Sequence, residues 1–324
     1  MTQVPVRSPT PDEPGRATAA ELRDRAVVFS CRGDSLVGIL TPATAPASVG
    51  MVIVVGGPQY RAGSHRLFVD LAWAMGGSGV PAFRFDYRGI GDSDGEHPGF
   101  EAVAPDIRAA IDQIMAQAPT VRRVVLWGLC DAASAIALYA PTDPRVAGTI
   151  LVNPWGRDAE RAEDAQDDTL MRHYYRERVL SADFWRKVLG FNVNGLDFLR
   201  RLWRVAWRSA TGGRAGAGTA EPLARRMLAA LVAADLPALF VFSGDDLTAR
   251  EFQTEAGRHS PLWARLCAAP TVHRHHIAAA DHTFSDPVEA HRLVREVCTW
   301  VNKHLDLHRQ DPASAANNTK GKNE

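Results

Sequence analysis

The feature that most constrains the fold is the alternation of short apolar segments with amphipathic ones. The segments MVIVVGG (51–57), RRVVLWGLC (122–130) and VAGTILVNPW (146–155) are almost wholly apolar, which is typical of buried central strands. A segment with helical spacing, FEAVAPDIRAAIDQIMAQ (100–117), lies between the first two. Strands that alternate with helices predict an α/β fold, in which helices cover both faces of a mostly parallel sheet.

The alternation is interrupted between about residues 156 and 232. This stretch carries charged and aromatic helical patterns, such as LDFLRRLWRVAWR (196–208), and no candidate for a central strand. We therefore predict a core in two parts, 23–155 and 233–306, with a helical cap inserted at 156–232. The arginines and tryptophans of the insertion indicate either a membrane-surface or acidic-ligand face, or aromatic packing with solvated arginines. We favour the second interpretation.

The charge balance gives no indication of the basic surface that nucleic-acid binding requires. Lys and Arg together number 37, as do Asp and Glu, so the formal net charge is zero. No apolar run resembles a signal peptide or approaches the roughly 20 residues that span a bilayer. The polar end segments 1–22 and 307–324 predict disordered tails. We expect a cytoplasmic protein, for which peripheral membrane contact stays open and no oligomeric state is predicted.

One of the four cysteines lies in an unusual position. Cys31, Cys130, Cys267 and Cys298 form no CxxC pair and no zinc-ligand spacing, so we expect neither a metal nor another cofactor. Cys130 lies where an apolar strand passes directly into an Ala-rich helix, with small residues two positions before and after it, Gly128 and Ala132. This pattern is typical of a nucleophile elbow. The alternative is a buried structural cysteine at a strand–helix junction.

Two later segments supply the partners that a cysteine nucleophile needs. The strand LFVFSGDDL (239–247) ends in Asp245 and Asp246, and the loop before the last helix contains His282. The chain order nucleophile, acid, histidine is that of α/β-hydrolases, which predicts a triad of Cys130, Asp246 and His282. Asp246 is favoured over Asp245 because it opens the following loop, whereas Asp245 can serve to shape the turn.

An oxyanion would be stabilised by two backbone N–H groups. Asp131 follows the nucleophile, and Gln59 is the better donor in the loop after the third strand because Pro58 has no N–H. Arg61 or His65 would contact the substrate or cap the following helix. Two further groups are interpreted as structural: the loop FDYRGIGDS, which lacks dinucleotide and phosphate-loop patterns, and three histidines that alternate along a strand end, His273, His275 and His276.

Several segments together resemble a known family. GGPQYRAGSHR (56–66), GLCDAASA (128–135), SGDDLTAREF (243–252) and ADHTFSD (280–286) resemble the exosortase A system-associated hydrolases of type 1, within the α/β-hydrolase superfamily. DYRGIGDSDG (86–95) is similar to that superfamily's loop after its fourth strand. The resemblance implies an α/β-hydrolase fold over nearly all of the ordered chain. It also implies a bacterial role near exopolysaccharide and protein-sorting loci, and it gives no substrate.

The chain departs from the family at one elbow position. The usual elbow of that group has glycine after the aspartate, whereas this chain has Ala132, which is small enough to keep the turn. Dienelactone hydrolases also carry a cysteine at the elbow, but their compact form leaves little room for the predicted cap.

The sequence therefore favours hydrolysis of an ester or thioester, a small-molecule acyl substrate, through an acyl-cysteine intermediate. Two alternatives stay open at this point. One is acyl transfer to an alcohol or amine by the same triad. The other is a non-catalytic scaffold that binds a ligand.

Overall fold

The computed structural model describes residues 23–57, 59–157 and 221–304, and these contain one eight-stranded sheet. In chain order the strands are β1 (Arg25–Cys31), β2 (Asp34–Thr41), β3 (Val49–Val54), β4 (Ala82–Phe85), β5 (Arg123–Leu129), β6 (Val146–Val152), β7 (Ala238–Asp245) and β8 (Val272–Asp281). Their order across the sheet is β1-β2-β4-β3-β5-β6-β7-β8. Strands β1 and β2 form an antiparallel hairpin, and β2 also pairs antiparallel with β4. All other pairs are parallel, so their carboxyl ends lie at one edge.

Seven α-helices connect and cover these strands in the described residues. They are α1 (Leu67–Gly77), α2 (Ala104–Gln117), α3 (Asp131–Tyr139), α4 (Leu223–Ala234), α5 (Leu247–Arg258), α6 (Ser260–Ala268) and α7 (Pro287–His304). None of these helices is long and apolar enough to cross a membrane.

Alternate residues of β3 show that helices pack on both faces of the sheet. Met51 and Ile53 lie in a buried apolar cluster with Phe68 of α1 and Trp300 of α7. Gly50, which points the other way, lies so close to Ile114 of α2 that an added Cβ would come within 2.8 Å of that side chain. The predicted layered α/β arrangement is therefore confirmed.

The pattern of EFQTEAGRHSPLWARLCA (251–268), after β7, predicts a single helix, and the structure differs from that prediction. The segment forms two helices, α5 and α6, with a break at His259. Pro261 lies in the first turn of α6, where the missing N–H is tolerated, but it cannot continue a preceding helix.

The chain leaves the core and returns to it at neighbouring points. The described residues up to Gly156 and from Ala224 onward belong to one compact unit. The residues Arg157–Leu223 are assigned to a second unit. A Cβ built on Gly156 would lie 3.7 Å from the Cβ of Ala224, and α4 therefore groups with the core, although it was included in the predicted insertion. The predicted cap helices and both predicted tails lie outside the described residues.

Candidate active site

Three loops at the carboxyl edge of the sheet bring Cys130, Asp246 and His282 together. Cys130 follows β5, Asp246 follows β7, and His282 follows β8. The Nδ1 atom of His282 lies 2.9 Å from Oδ2 of Asp246, and the His282 ring is near enough to the side chain of Cys130 for each group to shift the pKa of the other. A thiol, an imidazole and a carboxylate thus lie together in that order.

Cys130 occupies a strained backbone conformation between β5 and α3. Its φ of 62° and ψ of −125° are rare for a residue with a side chain, and such strain is concentrated at functional sites. A Cβ added to Gly128 would lie 2.7 Å from Ile136 of α3 and 2.8 Å from the carbonyl carbon of Ala132. Strand and helix therefore approach each other at a point where only glycine fits, which produces the sharp turn of a nucleophile elbow.

Asp246, rather than Asp245, lies against the histidine. Its side chain caps α5 by accepting hydrogen bonds from the backbone N–H groups of Thr248 (3.0 Å) and Ala249 (3.2 Å). Its carboxylate is almost fully buried, whereas Asp245 is exposed at the end of β7. The cap fixes the carboxylate, and the carboxylate in turn orients the imidazole.

Asp281, which precedes His282, has a different role. It accepts hydrogen bonds from the backbone N–H groups of Thr283 (3.1 Å) and Ser285 (3.0 Å). Burial alone would raise the pKa of this carboxyl, but the bonds from Ser285 and its neighbours lower the pKa below its ordinary value. Asp281 therefore shapes the loop that carries His282.

Burial and hydrogen bonding act in opposite directions on the thiol and the imidazole. Burial raises the pKa of Cys130, and the hydrogen bond from His282 only partly offsets that shift. Burial alone would lower the pKa of His282, but its bonds to Asp246 and to Cys130 raise the pKa to about 10. Asp246 thus makes His282 a stronger base, while burial opposes an isolated thiolate.

Two buried residues that sequence reasoning missed support this arrangement from behind. Asn153, just after β6, donates from Nδ2 to Oγ of Ser243 (2.9 Å) and to the backbone carbonyl of His282 (3.5 Å). Its Oδ1 accepts from the backbone N–H of Ser243 (2.8 Å). Polar residues at the ends of apolar strands were the available signal, because a fully buried Asn or Ser needs a partner.

The loop after β3 lies against the nucleophile elbow. The backbone N–H of Gly57 donates to Oδ1 of Asp131 (2.7 Å), and the backbone N–H of Gln59 makes a long turn bond of 3.3 Å to the carbonyl of Gly56. Both predicted oxyanion donors therefore lie on elements that converge at the elbow.

Arg61 and the loop after β4 are tied to each other. The Arg61 guanidinium pairs with Asp86, which is fully buried, and with Asp92 (2.5 Å). Gly91 has a φ of 57°, and an added Cβ would meet the carboxylate of Asp86. These contacts give Arg61 a structural role in holding the two loops together, while His65 is exposed.

Two of the three histidines of β8 have partners in α7. His273 accepts from Nε1 of Trp300 (3.4 Å), and Nδ1 of His275 lies 3.7 Å from Glu296. His276 is exposed. Within the described ranges, no three His, Cys, Asp or Glu side chains are grouped so that they could hold a metal ion.

The architecture defines an α/β-hydrolase fold, and comparison with solved structures agrees. The esterase Pf2001 of Pyrococcus furiosus aligns with a TM-score of 0.59 at 13% identity, covering 91% of this chain and 97% of that one. The α/β-hydrolase GrgF of Penicillium sp. sh18 aligns with a TM-score of 0.55 at 20% identity, covering 88% and 99%. Est1E of Butyrivibrio proteoclasticus, solved with bound ferulic acid, aligns with a TM-score of 0.56 at 14% identity, covering 86% and 99%.

Comparison of the sequence with protein-family models finds a match over part of the chain. The family described as "Serine aminopeptidase, S33" matches residues 48–181, a range that includes the elbow. At the elbow this chain carries Cys130. A search of curated proteins found no match.

Proposed function

We propose that the protein hydrolyses a carboxylic ester or thioester through an acyl-Cys130 intermediate. The observation that carries this proposal is the grouping of Cys130, His282 and Asp246, with the imidazole held by the carboxylate and Cys130 at the strained apex of the elbow. A thiol beside a carboxylate-oriented imidazole is the arrangement of an activated nucleophile.

In the first half-reaction, the sulfur of Cys130 attacks the acyl carbon, and the proton of the thiol is held on His282, whose raised pKa favours the imidazolium. The carbonyl π electrons move to oxygen, and the oxyanion is stabilised by backbone N–H groups, for which Asp131 and Gln59 are the candidates. The tetrahedral species then collapses. The bond to the leaving oxygen or sulfur breaks, and His282 delivers its proton to that atom.

In the second half-reaction, water attacks the acyl-cysteine. His282 takes a proton from the water, and a second tetrahedral oxyanion forms between the same donors. When this species collapses, the carbon–sulfur bond breaks, the carboxylic acid is released and the proton returns to Cys130. The chain's own residues thus supply nucleophile, base, acid and anion stabilisation.

The neighbouring structures support this class of reaction. One of the three is described as an esterase, and another was solved with bound ferulic acid, which is a carboxylic acid. The shared fold therefore accommodates an ester substrate or its acid product. The matched family is described as a serine enzyme, and cysteine in place of serine retains the same chemical logic with a better leaving group in the acyl intermediate. We infer the link to exopolysaccharide and exosortase systems from the sequence resemblance alone.

The first test is substitution of the proposed nucleophile. Cys130→Ala should lower kcat on p-nitrophenyl acetate or butyrate by about 10³-fold or more, because no acyl-enzyme can form. Cys267→Ala is the matched control, since Cys267 is a half-buried cysteine of α6 and should leave kcat unchanged. Acid-quenched wild type should carry the acyl mass on the peptide containing Cys130. Full turnover by Cys130→Ala on every ester that the wild type cleaves would exclude the acyl-cysteine mechanism.

A second test addresses the thiol–imidazole pair without any substrate. Removing His282 removes the interaction that lowers the pKa of Cys130, so His282→Ala should slow alkylation of Cys130 by iodoacetamide near neutral pH. The other three cysteines serve as internal controls in the same mass spectra. Equal alkylation rates at Cys130 in wild type and variant would mean that the two side chains do not share a proton.

A further inference from the structure

The carboxylate of Asp131 makes a contact that a simple oxyanion donor does not need. Its Oδ1 accepts the Gly57 N–H at 2.7 Å, although the two residues lie 74 positions apart. Asp131 is the first residue of α3, directly after the nucleophile, and Gly57 lies in the loop after β3. The bond therefore joins the two elements that carry the candidate oxyanion donors.

The packing around this bond is tight. A Cβ on Gly56 would lie 2.5 Å from Oδ1 of Asp131 and 2.5 Å from the backbone carbonyl of Leu129. Real Cβ atoms do not approach other atoms so closely, and one of the two neighbours is backbone that cannot move aside. Gly57 has a φ of 58°, which favours glycine. Two consecutive glycines thus allow the loop to lie directly on the elbow.

The surroundings of the carboxylate hold it in one place. It lies at the start of α3, where the partial positive charge of the helix N-terminus favours an anion. His282 is a charged neighbour of this carboxylate. The buried hydroxyl of Tyr87 has no partner in the described structure, and its pKa is raised by burial and by the charge of Asp131. Burial raises the pKa of Asp131, and backbone N–H groups, that of Gly57 first, lower it again in part.

We infer that Asp131 is a positioning residue whose side chain fixes the loop of Gly56, Gly57 and Gln59 against the nucleophile elbow. Its backbone N–H is one candidate oxyanion donor, and its carboxylate sets the place of the loop that bears the other, Gln59. One residue therefore determines the spacing between both donors. The part of this inference that concerns turnover rests on the proposed acyl chemistry, whereas the part that concerns the loop does not.

The experiment compares an acceptor that can still reach Gly57 with one that cannot. Asp131→Asn keeps an oxygen of the same reach, whereas Asp131→Ser is too short to reach the Gly57 N–H. Asp70→Ser is the matched control, because Asp70 is an exposed acid in the first turn of α1. Two quantities are measured: hydrogen exchange of the Gly57 amide, and kcat and KM on p-nitrophenyl butyrate.

Asp131→Ser should accelerate exchange at Gly57 and lower kcat by roughly ten- to a hundredfold, less than the loss of a whole oxyanion donor. The effect should fall on kcat more than on KM, because the donors act on charge that develops in the transition state. Asp131→Asn should retain kcat within about threefold, since its amide oxygen can still accept. Asp70→Ser should change neither quantity.

Unchanged exchange and unchanged kcat in Asp131→Ser would overturn the inference. So would an equal loss in Asp131→Asn and Asp131→Ser, because charge rather than the acceptor would then be responsible. If Asp131→Ser does not fold, Asp131→Glu decides, since it keeps the charge but displaces the acceptor and should also accelerate exchange at Gly57. If wild type cleaves no ester, the proposed function fails, while the exchange measurement still decides the role of Asp131.

Discussion

Asp246 has two sets of partners, and a single substitution can separate them. The carboxylate caps α5 and accepts the His282 Nδ1–H. Asparagine is as good an N-cap as aspartate, but it carries no charge to stabilise an imidazolium and can offer a donor where an acceptor is needed. Capping and orientation of the histidine therefore respond differently to the same change.

We expect Asp246→Asn to fold normally and to lose activity. The free energy of unfolding should change by less than about 1 kcal/mol, because the cap is kept, while kcat on a p-nitrophenyl ester should fall by roughly 10²–10⁴-fold, because the imidazole loses its orienting charge. Asp245→Asn is the matched control and should leave kcat unchanged. Equal effects of the two substitutions on kcat would show that Asp246 does not orient His282.

The raised pKa of His282 predicts how stability depends on pH. The folded protein holds this proton up to about pH 10, whereas an unfolded histidine releases it near its ordinary value of 6.5. The stabilisation is therefore fully present below about pH 6.5 and is lost as the pH rises through about 10. The melting temperature of the wild type should fall more between about pH 6 and about pH 9 than that of His282→Gln. Parallel melting curves for the two proteins would contradict the raised pKa.

At the residue level, some positions could be predicted and others could not. Cys130, Asp246 and His282 each follow the end of a strand, and parallel strands end at one edge, so their meeting could be expected from chain order. The choice of Asp246 over Asp245 followed from its place at the start of the loop. The bond from Gly57 to Asp131 depends on the path of one loop over another, and no local pattern encodes such a path.

At the level of elements, the contact between the β3 loop and the elbow depends on an absent side chain. Gly56→Ala would place a methyl group against backbone, so we expect a lower melting temperature together with a loss of kcat as the loop shifts. Gly77→Ala is the matched control, since Gly77 lies in α1 with no heavy atom within 4 Å of an added Cβ. That change should be neutral or stabilise by up to about 1 kcal/mol. Equal melting temperatures for the two variants would mean that the close approach at Gly56 does not constrain the fold.

The helices and strands themselves followed closely from the apolar pattern. Wholly apolar runs identified β3, β5 and β6, because a strand covered on both faces excludes polar residues. The break between α5 and α6 was missed, although Pro261 was a local indication of it. The position of β4 on the outer side of β3 is a property of the whole sheet, which the strands taken one by one do not specify.

At the level of the whole molecule, the adjacency of Gly156 and Ala224 predicts that the intervening segment can be removed. Replacing residues 158–220 with about four Gly/Ser residues should leave one cooperative thermal transition, because so short a linker can join neighbouring points. The melting temperature should differ from that of the full chain by less than about 5 °C. Loss of the cooperative transition, followed by circular dichroism, would show that the core depends on the deleted residues.

The same adjacency has a consequence for how such proteins diversify. When a chain departs from a core and rejoins it at one place, the entropy of closing the excursion grows only with the logarithm of its length, by about 0.6 kcal/mol for each doubling. Insertions of very different size and composition can therefore replace one another over evolutionary time with little selection against them from folding. The reactive groups on the strand ends would be inherited unchanged, while the segment between β6 and α4 would be free to drift and acquire new selectivities.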